Sequence, residues 1–267
     1  MVSNLSLAGM IFTLLVSFLI PIVLIIYTKK RYSAYFSTIA VGALIFFVFV
    51  MVLEQLIHFY VLKLNETTKS LMGNTWIYAI YGGIAAGIFE ETGRLTAFKF
   101  FLKKRWQWKD GLAYGIGHGG IEAMLVAGLT AINNLIYSLT INKGNFGALI
   151  GSKLPAATAE QVKNALINTD WYLFFVSGLE RCFAISIQIG LSILVLYAVK
   201  NRKYIYYIIA ILLHALVDFP AVLAQRGILS IWVVEGVAFT ACIIGIYWAI
   251  KSKKVFNTDN ISISVQS

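Results

Sequence analysis

Glu90 and Glu91 stand side by side in the stretch Phe89-Glu90-Glu91-Thr92-Gly93-Arg94, inside an apolar run that begins near Trp76 and ends near Phe101. Charged side chains are costly in hydrocarbon and by default mark functional positions. Two further apolar runs carry polar partners, His118 with Glu122 and His214 with Asp218. Glu90 and Arg94, His118 and Glu122, and His214 and Asp218 are each four residues apart, so each pair lies on one side of a helix. Two histidines from different helices plus a carboxylate make a zinc set with one open position. Glu91, His118 and His214 are the residues expected to hold such an ion. A second carboxylate would take the proton from a water that attacks a carbonyl. In a metal-free version Glu90 or Glu91 activates the water, while the histidines polarise the carbonyl and stabilise the oxyanion. Arg94, Glu122 and Asp218 complete the candidate catalytic set by holding orientation or compensating charge. Residue types and spacing leave both versions open.

The elements that must position these residues are membrane helices. The chain of 267 residues is 59% hydrophobic and 13% charged. A soluble domain carries about 25% charged residues, so this chain cannot cover a water-facing surface. Its apolar runs reach about 20 residues or more, enough to span a bilayer as helices. Only three prolines and no turn signals at short spacing argue against a β-barrel. The expected fold is an all-α polytopic transmembrane helix bundle, one domain over 1–267. Seven spans are predicted, at about 7–27, 34–61, 76–101, 111–139, 171–199, 204–224 and 228–250. The first lacks a basic leader and a small-residue cleavage site, so it reads as a retained span. A polar tail is expected from Lys251 to Ser267, flexible at its end. In the long connection of about 140–170, Thr158-Ala-Glu-Gln161 resembles a capping box that opens a short helix through Asn168.

Basic residues set the orientation. With the N-terminus outside, one face receives 14 Lys and Arg residues and the other 6, and the C-terminus is cytoplasmic. The formal charge of +10 therefore has a membrane explanation, and no basic helix or zinc-finger spacing points to nucleic acid. All six tryptophans fall near span ends, as in an aromatic belt. Depth can be read from the same clusters. Glu91 lies 12 residues before Lys103, His118 lies 9 after Lys109, and His214 lies 11 after Lys203. At 1.5 Å per residue all three motifs sit roughly 13 to 18 Å from the inner surface of a core about 30 Å thick. Gly82, Gly83 and Gly87 before the glutamates, and Gly115, Gly117, Gly119 and Gly120 around His118, allow close helix approach. They are also expected to leave room for water or a substrate chain, as walls of its entry path.

Other polar residues read as structural. Glu180 and Arg181 form an expected structural or gating ion pair. Glu54 and His58 are expected at a solvated helix end, and Glu235 at the interface near Trp232. Cys182 and Cys242 lie in apolar runs as packing residues.

These motifs resemble the YhfC family of predicted intramembrane peptidases, thought to be related to the PrsW proteases and the CAAX-processing (ABI) endopeptidases. The pieces that carry the resemblance are Glu90-Glu91-Thr92-Gly93-Arg94, Gly117-His118-Gly119-Gly120-Ile121-Glu122-Ala123, Leu179-Glu180-Arg181 and His214-Ala215-Leu216-Val217-Asp218-Phe219. Together they cover roughly 75–220 of the chain. The resemblance implies cleavage of membrane protein or peptide substrates within a bacterial plasma membrane, with the glutamates and histidines catalytic. There is no H-E-x-x-H, so the chain is not of the zincin type. The family pattern often has a histidine where Gln188 stands. Two other functions fit buried carboxylates and histidines: a proton-coupled transporter, or a non-catalytic immunity or partner-binding membrane protein.

Overall fold

Runs of Leu, Ile, Val and Phe with no partner for the backbone except itself fold as helices, since every peptide group in hydrocarbon must be hydrogen-bonded internally. The computed structural model describes the backbone of residues 1–264 and the side chains of residues 1–257, and among the described residues it holds helices and no strand. Eight helices organise it: α1 (Asn4–Tyr32), α2 (Phe36–Leu64), α3 (Thr75–Thr96), α4 (Trp108–Asn142), α5 (Ala156–Asn168), α6 (Trp171–Lys200), α7 (Ile205–Gln225) and α8 (Ile231–Ser264). Wider π turns occur in α2 at Phe47–Glu54 and Tyr60–Leu64, after α3 at Ala97–Phe101, and in α4 at Ala123–Gly128. Such turns shift which face a helix presents.

Among the described residues six helices are long and apolar enough to cross a membrane: α1, α2, α4, α6, α7 and α8 over Ile231–Asn257. The chain is thus an all-α polytopic membrane protein. The remaining expected span, α3, has the length, at 22 residues, but Glu90, Glu91 and Arg94 lower its apolarity. Bounds differ from the predicted spans mostly by a turn or less. The larger difference is at the C-terminus. The polar stretch after Lys251 continues α8 as helix to Ser264, and the expected flexible end, 265–267, lies outside the described residues. The helix in the long connection starts at Ala156 behind Pro155. Thr158 is therefore inside α5 and the expected capping box does not form. Proline's fixed φ makes it a ready helix opener.

Backbone contacts divide the chain into two compact units, with the divisions inside α1, α4 and α6. The first unit comprises Met1–Ile22 and Glu122–Cys182. In it, Asn142 clamps the start of the chain. Its Oδ1 accepts from the Val2 amide at 2.7 Å and its Nδ2 donates to the Val2 carbonyl at 2.9 Å. Val2, Met10 and Leu166 form its apolar centre, and the Phe12 and Phe175 rings meet at 5.4 Å. The second unit comprises Val23–Ile121 and the chain from Phe183 onward. Phe98, Tyr114, Ile193, Leu196 and Phe256 form its core, where Trp108 Nε1 donates to the Ala249 carbonyl at 2.8 Å. Large apolar side chains such as Ile84, Ile88, Leu212, Leu216, Ile244 and Ile250 face outward, while Arg94 is fully buried. This inside-out partition suits a lipid solvent.

Glycine is what lets the helices of the second unit close on one another. A Cβ on Gly83 would lie 2.7 Å from the Ala215 carbonyl oxygen, and one on Gly87 would lie 2.6 Å from that of Ile211. The glycine face of α3 is therefore filled by the backbone of α7. Around His118, Gly117 abuts the Ile39 carbonyl, Gly115 has Ile189 Cα at 2.6 Å, and Gly119 has the Gln188 side chain at 2.9 Å from where its Cβ would stand. The room expected beside these five glycines is occupied by neighbouring helices, so they are seams, whereas Gly82 lines a cavity together with Asp218. Gly87→Leu should drive α3 and α7 apart and lower stability by about 1–3 kcal/mol, as overpacking does. Gly236→Ala, where nothing lies within 4 Å of the added methyl, should leave the thermal melt in detergent unchanged or raise it. Equal melts for the two variants would contradict this packing.

Candidate functional site

The polar side chains of α3, α4, α6 and α7 meet inside the second unit. Glu90 and Glu91 follow one another on α3, so they point about 100° apart at 3.6 residues per turn. Arg94, one turn on, reaches both. Its Nη2 lies 3.3 Å from Glu90 Oε2, and its Nη1 pairs closely with Glu91 Oε1. Its Nε donates to Ser192 Oγ at 3.2 Å. Gln188 fills the remaining gap. Its Oε1 accepts from Arg94 Nη2, and its Nε2 donates to Glu90 Oε2 at 3.0 Å. Ser192 Oγ in turn donates to the Gln188 carbonyl at 2.6 Å.

The two imidazoles approach the glutamates from different helices. His118 is fully buried, with Nε2 at 2.8 Å from Glu90 Oε2 and its ring edge-on to Phe46 at 5.1 Å between centroids. Glu90 and His118 each bring a ligand-type atom to this point. Their neighbour on the α7 side, His214, places Nδ1 at 2.7 Å from Glu91 Oε1. Its Nε2 then faces two carboxylates, Glu90 Oε1 at 3.7 Å and Asp218 Oδ2 at 3.4 Å. Glu91 Oε2 and His118 Nδ1 are buried with no hydrogen-bond partner among the described residues. Asp218 differs from the rest: 37% of its side chain is exposed, against 8% for Glu90.

Of the seven residues singled out as catalytic, Glu90, Glu91, Arg94, His118, His214 and Asp218 come together within the second unit. Glu122, one turn beyond His118 on α4, belongs to the first unit, where Arg181 Nη1 lies 3.7 Å from Glu122 Oε1 and Arg181 Nη2 donates to Glu180 at 2.5 Å. Gln188 and Ser192 were not among the expected site residues. The available signal was a pair of polar residues four apart in an otherwise apolar run. Gln188 stands where the family pattern often has histidine, and its carboxamide supplies one acceptor and one donor. A neutral imidazole offers the same pair. One expectation is corrected. Glu54 is not at a solvated helix end but buried, 5% exposed, with His58 Nε2 at 3.3 Å and His58 Nδ1 at 2.7 Å from the Tyr81 hydroxyl. Its partner His58, on the same helix, is in turn held by Tyr81 of α3. Cys182 and Cys242 form no disulfide among the described residues.

The donor set suits a cation. If His214 Nδ1 carries the proton shared with Glu91, its Nε2 turns a lone pair toward two carboxylates, an arrangement that a cation relieves. Glu90, Glu91 and Asp218 carry three negative charges against one on Arg94, so with neutral imidazoles two negative charges remain, which a divalent ion balances. Carboxylate and imidazole donors are those zinc takes.

The comparisons with known proteins bear on the same region. Residues 16–238 match the model of the YhfC intramembrane metalloprotease family. The chain is 45% identical over 242 residues to the uncharacterized membrane protein YhfC of Bacillus subtilis (strain 168), covering 90% of this chain and 94% of that protein. No solved structure matches. A family of metalloproteases implies a metal, and the buried imidazoles and carboxylates are fit for zinc. This integral membrane protein belongs to the YhfC intramembrane metalloprotease family.

Proposed function

We propose that the chain hydrolyses peptide bonds of membrane-embedded protein or peptide substrates, with a zinc ion held by His118, His214 and Glu90. The observation that carries this reading is His214 Nε2 facing Glu90 and Asp218 at 3.7 and 3.4 Å, with its Nδ1 already engaged by Glu91. Glu90 takes the ligand place that residue types alone gave to Glu91, because it is Glu90 whose two oxygens face both imidazoles. Glu91 instead fixes the tautomer and ring direction of His214, the usual part of a carboxylate behind a ligating histidine. When bound, zinc supplies Lewis-acid polarisation of a carbonyl and makes water a better nucleophile.

The protein's own groups do the rest. Arg94 and Gln188 hold Glu90 by donating to Oε2, which leaves Oε1 toward His214. Asp218, part exposed beside His214, accepts the proton of the attacking water and returns it to the leaving amine. The same reading takes α3 as a seventh crossing, with the N-terminus outside and the C-terminus cytoplasmic, in a bacterial plasma membrane. Its basis is the distribution of basic residues between the connections.

Metal content of detergent-purified protein separates the roles of the histidines and Glu91. Wild type should hold about one zinc per chain, as a catalytic site of this donor class does. His214→Ala and His118→Ala should lose it with thermal melts near wild type. Glu91→Gln should retain it with affinity weakened by about 10–100-fold, the usual effect of removing a partner behind a ligand. Full zinc binding and full peptide cleavage in folded His214→Ala would overturn the assignment. Arg94→Met leaves both carboxylates buried without their counter-charge and should destabilise by about 3–5 kcal/mol. Gln188→Ala should cost only about 1–3 kcal/mol, read from the same melts.

A further inference from the structure

Hydrolysis consumes water, and six apolar spans exclude it. The question is where water reaches Asp218. The second unit holds one cavity that Asp218 lines, of about 320 Å³, between α2, α3 and α7. At one end are Asp218 and Ala86. At the other are Tyr78 and Gln225, near the start of α3 and the end of α7. There the Arg226 guanidinium lies 4.1 Å over the Tyr78 ring and reaches the Met72 carbonyl at 3.4 Å. His58 and Tyr81 form a polar wall. At about 30 Å³ per molecule this volume holds on the order of ten waters, with polar partners along it.

We propose that this cavity is the water port of the site, and that Glu54, His58 and Tyr81 are positioning residues that keep its wall polar. Three independent observations converge. Asp218 is the site group with the most exposed side chain, and its exposure gives onto this cavity. Glu54 is a buried carboxylate in an apolar span that the hydrolytic chemistry does not use, and its Oε2 has no hydrogen-bond partner among the described residues. Its Oε1 holds His58 at 3.3 Å, and His58 holds the Tyr81 hydroxyl at 2.7 Å with the rings 5.4 Å apart, so the orientation of both wall residues traces to Glu54. Gly83 and Gly87, by contrast, are closed by backbone and offer water no path.

The purpose of the water rests on the hydrolytic reading; its presence does not, and the test separates the two. In a full-length chain with Cys182 and Cys242 replaced by serine, single cysteines at Ala86 and Ala221 are exposed in permeabilised membranes to a charged, water-soluble thiol reagent. Both line the cavity. Ile84→Cys and Ile88→Cys, on the outward face of α3, are the lipid-facing controls. The expected result is labelling at Ala86→Cys and Ala221→Cys and none at the controls. It should slow several-fold when His58→Phe is added, with the melt unchanged. Unlabelled cavity cysteines that react once the protein is unfolded would overturn the port, whether or not the protein cleaves peptides. Labelling that His58→Phe leaves unchanged would overturn the positioning role. Labelling in a protein without peptidase activity would uphold the port and count against the proposed reaction alone.

Discussion

The guanidinium of Arg94 is the interaction on which the rest of the second unit depends. It is fully buried, and every one of its polar contacts named above is with a group that needs it. Two carboxylates on the same helix share it, and a carboxamide and a hydroxyl from α6 complete its donors. Taking such charges out of water costs several kcal/mol each unless geometry returns it. Apolar side chains in lipid give helices little reason to choose one rotation over another. The Arg94 cluster does. It fixes the rotation of α3 and ties it to the register of α6, because Gln188 and Ser192 must both face it.

That electrostatic constraint can act only because backbones come close. His214 reaches Glu91 at 2.7 Å across the seam between α3 and α7, where Gly83 and Gly87 admit the carbonyls of Ala215 and Ile211. Side chains larger than hydrogen at those two positions would hold the helices apart by more than a hydrogen bond tolerates. The same holds for α4, where Gly117 and Gly115 bring His118 in against α2 and α6. Packing and polarity therefore specify one arrangement jointly, the condition for a single native state.

Much of this was legible in the sequence. Apolar runs gave the helices, since length and composition nearly determine structure in lipid. The charged residues gave the site, since Glu90, Glu91, Arg94, His118, His214 and Asp218 are anomalous where they stand. What could not be read was rotation. Which of two adjacent glutamates faces the imidazoles turns on about 100° of helix azimuth, and spacing does not supply it. Gln188 was legible as a departure from the family pattern but not as a site residue, because neutral polar residues in an apolar run are common in membrane helices. Glu54 was misplaced because Tyr81, which engages its partner His58, lies on another helix. The glycines were legible as close-approach positions, but whether backbone or water fills the space beside them is a tertiary fact.

Glu90 and Glu91 then divide their work by what surrounds them. Glu91 is fully buried, with one oxygen saturated by Arg94 and His214. A carboxylate so held serves best to hold a ring in place. Glu90 has one oxygen that accepts from Arg94 and Gln188 and lies 2.8 Å from His118 Nε2, and another that looks toward His214 Nε2. The negative charge left uncompensated by Arg94 thus concentrates on the side of the cluster where Glu90, His214 and Asp218 meet. Of these, Asp218 lines the cavity between α2, α3 and α7. Order is stored in the buried half, and reactivity is placed at its edge, where a cation has donors waiting and a reactant has room to arrive.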